Sequence, residues 1–122
     1  MSTYTFFVAT EAYKFEATDS MLNIGEALIK KGHTIKGIFF FGSGVYNLKK
    51  DINCGTSMRN VPEKIKDFCA KNNIIVAGCS TWVSITGLQK SDFIDNAIIE
   101  GLGGLSEWVT ESDKLLVFGA GG

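Results

Sequence analysis

The sequence is poor in the residues that hold metals or covalent cross-links. Its 122 residues include one histidine, one proline and three cysteines. The cysteines are Cys54, Cys69 and Cys79; they form no CxxC pair, which argues against a zinc site. An odd number of widely and irregularly spaced cysteines is also unlike a disulfide framework. We therefore expect free thiols, no bound metal and no cofactor.

The sequence also lacks the charge and hydropathy signals of several partner classes. Its formal net charge is −1, which gives no reason to expect nucleic acid or an anionic membrane as a partner. No apolar run approaches the roughly 18 residues of a membrane span, and no signal-type segment opens the chain. With 45% hydrophobic residues, the composition is that of a globular protein. These features predict a cytoplasmic protein with one domain at 1–118 and a flexible tail at 119–122.

Strand-like runs and helical spacing alternate along the chain. Apolar runs rich in aromatic and β-branched residues predict strands at 3–10, 34–41, 74–79 and 114–118. Apolar side chains at helical spacing predict helices at about 18–31, 61–73, 81–85 and 91–111. Thr18 or Asp19 is the expected cap of the first helix, and Pro62 suits the first turn of the second. The alternation predicts an α/β fold, a doubly wound, flavodoxin-like or Rossmann-like parallel sheet of four or five strands.

Cys79 is the candidate reactive residue. It follows a continuous apolar run and precedes Ser80 and Thr81, which can cap a helix. Functional groups in open α/β sheets gather beyond the carboxyl ends of such strands. The free N–H groups and dipole at a helix start favour a thiolate, which is the nucleophilic form of cysteine. The residues alone leave a second interpretation open, in which Cys79 is a small buried apolar residue.

Several segments resemble the DsrE/TusD family of intracellular sulfur-relay proteins. Residues 39–47, which read FFFGSGVYN, are similar to the family's FF-x-x-x-G-V-Y-N segment. Cys79 and Gly87 keep the family's spacing between its cysteine and the following glycine. Residues 101–107, which read GLGGLSE, are similar to the family's G-L-G-x-L-x-E segment. With the first strand, which matches in kind, these segments extend the resemblance over nearly the whole chain.

The resemblance implies a sulfurtransferase-type carrier that accepts sulfane sulfur as a persulfide and passes it to a partner protein. Only Cys79 matches the family's sulfur-bearing position; Cys54 and Cys69 are interpreted as structural or incidental. The implied partners are sulfur-donor and sulfur-acceptor proteins, with no direct contact to nucleic acid or membrane. The implied assembly is a homo- or hetero-oligomer, a trimer or a hexamer. Nine phenylalanines in so small a domain also suggest apolar surface buried between subunits.

Departures from the family pattern leave the pathway and two other functions open. Ile85 and Thr86 stand where TusD-type relatives often have basic residues, and residues 10–14 lack the expected glycine and proline. Sulfur oxidation and tRNA thiolation both remain candidate pathways. One alternative function is a non-catalytic structural subunit with an inert Cys79. The other, a flavodoxin-like binder of a nucleotide or flavin, would need a phosphate-binding loop, yet residues 10–19 contain no glycine.

Five residues near these motifs have a functional and a structural interpretation. Gly42 and Gly44 are interpreted as turn glycines, because the third glycine of a phosphate-binding loop is missing. Tyr46 and Asn47 would be able to line a site, although a tyrosine here is more often a packing anchor. Trp82 would be able to shape an apolar pocket beside the cysteine, but a core or interface aromatic is the favoured interpretation.

Overall fold

The computed structural model describes residues 1–11, 17–52 and 60–119. Over these ranges the strands are β1 (Thr3–Val8), β2 (Thr34–Phe40), β3 (Ile75–Cys79), β4 (Ala97–Glu100) and β5 (Lys114–Phe118). The α-helices are α1 (Ala17–Lys30), α2 (Val61–Asn72), α3 (Ser80–Thr86) and α4 (Leu102–Thr110), with 3-10 helices at Gly42–Leu48 and Lys90–Asp92. None of the described helices is long and apolar enough to cross a membrane. Cys54 and most of the predicted tail, 120–122, lie outside the described residues.

All described strands form one parallel sheet in the order β4-β3-β2-β1-β5. The chain steps from β1 to β4 in one direction and then returns past β1 to place β5 at the opposite edge. Because parallel crossovers are right-handed, this reversal places the last crossover helix, α4, on the opposite face of the sheet from the helices before it. The predicted α/β, doubly wound parallel sheet is confirmed, with five strands.

The two faces of the sheet are covered unequally. The larger core joins buried residues of β1 and β2 to Met21 of α1, Ile65 of α2 and Val83 of α3. The opposite face, here called the α4 face, carries a smaller cluster around Phe39 and Trp108. Gly37 on β2 makes room for this packing, because a Cβ there would lie 2.7 Å from the Trp108 ring.

The predicted helix at 91–111 is wrong. The structure has a 3-10 turn at Lys90–Asp92, then strand β4, and only then helix α4. Ile98 and Ile99 are β-branched and favour extended backbone, while Gly101 interrupts the helix that the apolar spacing indicated. β4 is only four residues long, too short for an alternating pattern to stand out in the sequence.

Helix starts were predicted correctly for α2 but not for α1. Asn60 caps α2 by accepting a hydrogen bond from the Glu63 N–H at 3.2 Å, and Pro62 lies in the first turn as predicted. Helix α1 already begins at Ala17, so neither Thr18 nor Asp19 is its cap. Thr18 is instead buried, and its hydroxyl serves the polar network described below.

Candidate functional site

Cys79 lies at the carboxyl end of a central strand, as the sequence predicts. It is the last residue of β3 and also the N-cap residue of α3, with extended backbone angles of φ −64° and ψ 123°. The cap role expected for Ser80 or Thr81 is therefore wrong, since both are already in the helix. The Cys79 side chain makes no capping hydrogen bond. Its sulfur is thus not engaged in closing the first turn of α3.

The Cys79 side chain is buried in an apolar cluster on the α4 face. Its exposed fraction is 1%, and it shares the cluster with Phe39, Ala77 and Trp108. Phe39 and Trp108 meet edge to face with ring centroids 6.0 Å apart. These surroundings exclude water from the thiol in the resting conformation, so a reagent reaches the sulfur only when neighbouring groups move.

Trp82 is a core aromatic that connects the two clusters. It is partly buried and packs against both the larger core and the cluster that contains Cys79. Its ring lies edge to face with Phe41, with centroids 5.7 Å apart. The favoured core interpretation of Trp82 agrees with this position. The same position also makes Trp82 part of the apolar boundary around the cluster of Cys79.

Glu100 is the neighbour of Cys79 that sequence reasoning missed. The two residues are register partners in the β3–β4 ladder, and register partners in a parallel sheet present their side chains on the same face. The Glu100 Oε1 accepts a hydrogen bond from the Gly101 N–H at 3.2 Å. A Cβ on Gly104 would lie 2.8 Å from that oxygen, so the carboxylate rests against the first turn of α4. The sheet register therefore places Glu100 next to Cys79 on the α4 face.

The other cysteines do not join this site. Cys69 of α2 is buried in the larger core, whereas Cys79 belongs to the cluster on the α4 face, and both are free. Burial raises the pKa of the Cys69 thiol from its ordinary value near 9.0 to about 12, so it stays protonated at neutral pH. Its structural interpretation agrees with this environment. Across the described residues, no group of three or more His, Cys, Asp or Glu side chains is placed to hold a metal ion.

The residues of the FFFGSGVYN segment have different surroundings. Asn47 is fully buried, and its amide donates to the carbonyls of Thr10 at 2.7 Å and Gly44 at 2.8 Å. Its Oδ1 accepts from the Thr18 hydroxyl at 3.0 Å. Asn47 is thus a structural tie between the segment after β1, the 3-10 helix and α1, and does not line an open site. Tyr46 is exposed.

The two glycines of this segment are needed for different reasons, close packing at Gly44 and backbone conformation at Gly42. A Cβ on Gly44 would lie 2.5 Å from the backbone oxygen of Val8, which leaves room only for glycine. Gly42 has a φ of +61°, in the left-handed region that favours glycine. The interpretation of both as turn glycines therefore agrees with the structure.

Comparison with known proteins gives concordant results. The DsrE/DsrF-like family matches residues 3–118. Sulfurtransferase TusD of Cronobacter sakazakii is 21% identical, with 94% of this chain and 98% of that protein aligned. The putative sulfurtransferase DsrE of Allochromatium vinosum is 24% identical, with 88% and 91% aligned.

Solved structures show the same fold. The YchN protein from E. coli superposes with a TM-score of 0.84 at 21% identity, covering 97% of this chain and 100% of that one. The MTH1491 protein from Methanobacterium thermoautotrophicum superposes with a TM-score of 0.72 at 14% identity, covering 96% and 99%. One family matches nearly the whole chain, and solved structures share its five-stranded sheet. The chain therefore belongs to the DsrE/DsrF-like family.

Proposed function

We propose that this chain is a cytoplasmic sulfur-relay protein that carries sulfane sulfur as a persulfide on Cys79 and transfers it to a partner protein. Relatives named sulfurtransferases support a role in sulfur transfer. The observation that carries the proposal is the position of Cys79, at the carboxyl end of β3, where functional groups of open α/β sheets gather. The separation of Cys79 and Cys69 into different core clusters fits a carrier better than a dithiol oxidoreductase.

The chemistry is a thiol exchange in which no net oxidation occurs. The Cys79 thiolate attacks the outer sulfur of a donor persulfide, R–S–SH, and the donor S–S bond breaks. A new S–S bond forms on Cys79, and the donor leaves as the thiolate R–S⁻. Transfer to an acceptor repeats the step, with Cys79 as the leaving thiolate. A nearby second thiol would divert the persulfide into a disulfide, and among the described residues no other cysteine belongs to the cluster of Cys79.

The proposed partners are donor and acceptor proteins and further subunits. The α4 face supports an oligomer, because α4 has only nine residues and leaves apolar side chains of the sheet exposed. By register these include Leu115 and Val117 of β5, exposed by 42% and 63%, and Ile75 and Ile98 of β3 and β4. Apolar side chains grouped on one sheet face favour burial against another chain, in a trimer or hexamer of identical or homologous subunits.

Intact-protein mass spectrometry after exposure to a persulfide donor tests the proposal. We expect wild type to gain about 32 Da, one sulfur atom, and Cys79→Ser to gain none. Cys69→Ser is the matched control and should gain sulfur like wild type, because the Cys69 thiol is buried and protonated. Absence of the adduct from wild type, or an adduct that persists in Cys79→Ser, would contradict the proposal.

A second candidate function is a non-catalytic subunit of a sulfur-relay oligomer. The observation that favours it is the 1% exposure of Cys79, together with the uncharged Ile85 and Thr86 where basic residues would stabilise a thiolate. In that case Cys79 would resist persulfide donors in the native protein and react only after unfolding. The same mass spectrum, recorded with and without denaturant, separates the two functions.

A further inference from the structure

The described segments that adjoin Cys79 in sequence and in the sheet carry few charges. Residues 74–88, which include β3 and α3, contain no Asp, Glu, Lys, Arg or His. Residues 39–48, at the end of β2 and in the following 3-10 helix, contain none either. On the other side of β3, β4 carries one charged residue, Glu100, and α4 carries its next charge only at Glu107. Glu100 is therefore the charged side chain that the sheet register places beside the thiol.

Glu100 is held in this position by the first turn of α4. Its Oε1 accepts the Gly101 N–H, and the absence of a side chain at Gly104 leaves the space that the carboxylate occupies. A negative side chain at the start of a helix is also stabilised by the helix dipole. A Cβ on Gly101 would lie 3.8 Å from the Ser80 hydroxyl oxygen, so the two segments that follow Cys79 and Glu100 also run side by side.

A fixed negative charge next to a nucleophilic thiolate acts differently on different sulfur donors. An anionic donor brings a second negative charge to the thiolate, and Glu100 adds electrostatic repulsion between the two. A cationic group on the donor is attracted instead. Two unit charges interact by about 0.7 to 1.4 kcal/mol at roughly 6–8 Å and an effective dielectric constant of about 40 to 60, which corresponds to a rate effect of about three- to tenfold.

We propose that Glu100 sets the charge selectivity of Cys79. Its carboxylate slows reaction with small anionic sulfur compounds and favours a persulfide presented by a partner protein whose cysteine is surrounded by basic residues. The inference rests on the proposed carrier role, and it names the class of donor for that role. Glu100 acts here as a positioning residue, since it orients the donor by charge and takes no part in bond exchange.

Alkylation kinetics measure this charge effect directly. Cys79 would be alkylated with neutral iodoacetamide and with anionic iodoacetate, and the modified peptide quantified over time. Both small reagents depend equally on access to the buried thiol, so the effect of access cancels in the ratio of their rates. In Glu100→Gln we expect the ratio of iodoacetate to iodoacetamide to rise by about three- to tenfold. The gain should shrink as added salt screens the charge.

Two matched variants separate charge from packing. Glu107→Gln removes the same charge from an exposed position of α4 and should leave the ratio at the wild-type value. Glu100→Asp keeps the charge with a shorter side chain and should also keep the wild-type ratio. An unchanged ratio in Glu100→Gln would overturn the inference. So would an equal acceleration of both reagents, or a Glu100→Asp ratio that matches Glu100→Gln.

The donor class is tested with low-molecular-weight persulfides of opposite charge. Wild type should take sulfur faster from the persulfide of cysteamine, which is cationic, than from that of glutathione, which is anionic, and Glu100→Gln should narrow that preference about threefold or more. An equal preference in both proteins would overturn the donor assignment. If the proposed carrier role is wrong, the results differ: neither donor would add sulfur to Cys79, while the alkylation ratio would still measure the effect of Glu100.

Discussion

Replacing Asn47 by alanine is the strongest single test of how this fold is held together near the carboxyl ends of the strands. Asn47 is fully buried and joins its own 3-10 helix to Thr10 and to helix α1, both about 30 to 40 residues earlier in the chain. Its amide donates to Thr10 and Gly44, and its Oδ1 accepts from Thr18. The 3-10 helix that contains it packs against β3, because a Cβ on Gly78 would meet Val45 and Leu48. Loss of Asn47 should therefore loosen the support of the strand that ends in Cys79.

The cost follows from the partners that the alanine leaves behind. Two buried carbonyls and one buried hydroxyl lose a hydrogen bond each, and each such loss costs about 1 to 2 kcal/mol when no water replaces the partner. We therefore expect Asn47→Ala to lower the free energy of unfolding by about 3 to 6 kcal/mol. That is a large part of the 5 to 15 kcal/mol typical of a domain.

Urea unfolding followed by circular dichroism, at one fixed protein concentration, measures the effect. Thr18→Val removes only the hydroxyl and should cost about 1 to 2 kcal/mol. Asn23→Ala is the matched control, because Asn23 is exposed on α1 and its loss should change stability by less than about 0.5 kcal/mol. A loss below about 1 kcal/mol in Asn47→Ala, with the slope of the transition unchanged, would refute the structural role assigned to Asn47.

Two further predictions concern packing and alkaline pH. Gly37→Ala should destabilise the protein by about 1 to 3 kcal/mol and shift its tryptophan fluorescence, because the new Cβ meets the Trp108 ring at 2.7 Å. Gly103→Ala, in α4, meets nothing within 4 Å and should be neutral or stabilising, and equal losses in the two variants would contradict the reasoning. The raised pKa of Cys69, about 12 when folded, means that its contribution to stability is complete below pH 9 and is lost as the pH rises toward 12. Between pH 8 and pH 10 the fall in unfolding free energy should therefore be about 1 kcal/mol smaller in Cys69→Ala than in wild type, measured by urea unfolding at both pH values, and parallel pH profiles would show that Cys69 ionises freely.

The long elements of the fold were predictable from local pattern alone. β1 and β2 are rich in aromatic and β-branched residues and β3 is a continuous apolar run, because most of their residues are buried, and such segments are easily recognised in a sequence. Helices α1 and α2 have apolar residues at helical spacing because both pack their apolar sides against the same face of the sheet. β4 was not predictable in this way. It is an edge strand of four residues, two of them exposed, and its isoleucines continue a helical spacing by coincidence.

The candidate site was likewise predictable in part: the position of Cys79 could be predicted from the sequence, and its neighbour Glu100 could not. The position of Cys79 depends on a local transition from strand to helix, and that transition can be recognised from consecutive residues of the sequence. The neighbour Glu100 depends on which strand lies beside β3 and in which register, which tertiary packing decides. Because β4 was not predicted, its residue Glu100 could not be placed beside Cys79. The one local signal for Glu100 was an acidic residue that ends an apolar pair and precedes the glycines of α4.

Burial of Cys79 does not by itself make the thiol inert. The residues around it differ in how firmly they are held: Phe39 and Trp108 belong to the cluster core, whereas α3 is seven residues long and buries only Val83. Segments with few buried apolar contacts open at low free energy. An opening that costs about 3 kcal/mol exposes a thiol for roughly 1% of the time, which slows its chemistry by a factor of about one hundred without preventing it. Such a carrier exposes its persulfide only during these openings or when a partner displaces α3. At other times the persulfide is protected from water and from other thiols in solution. On this argument a buried cysteine suits sulfur transfer.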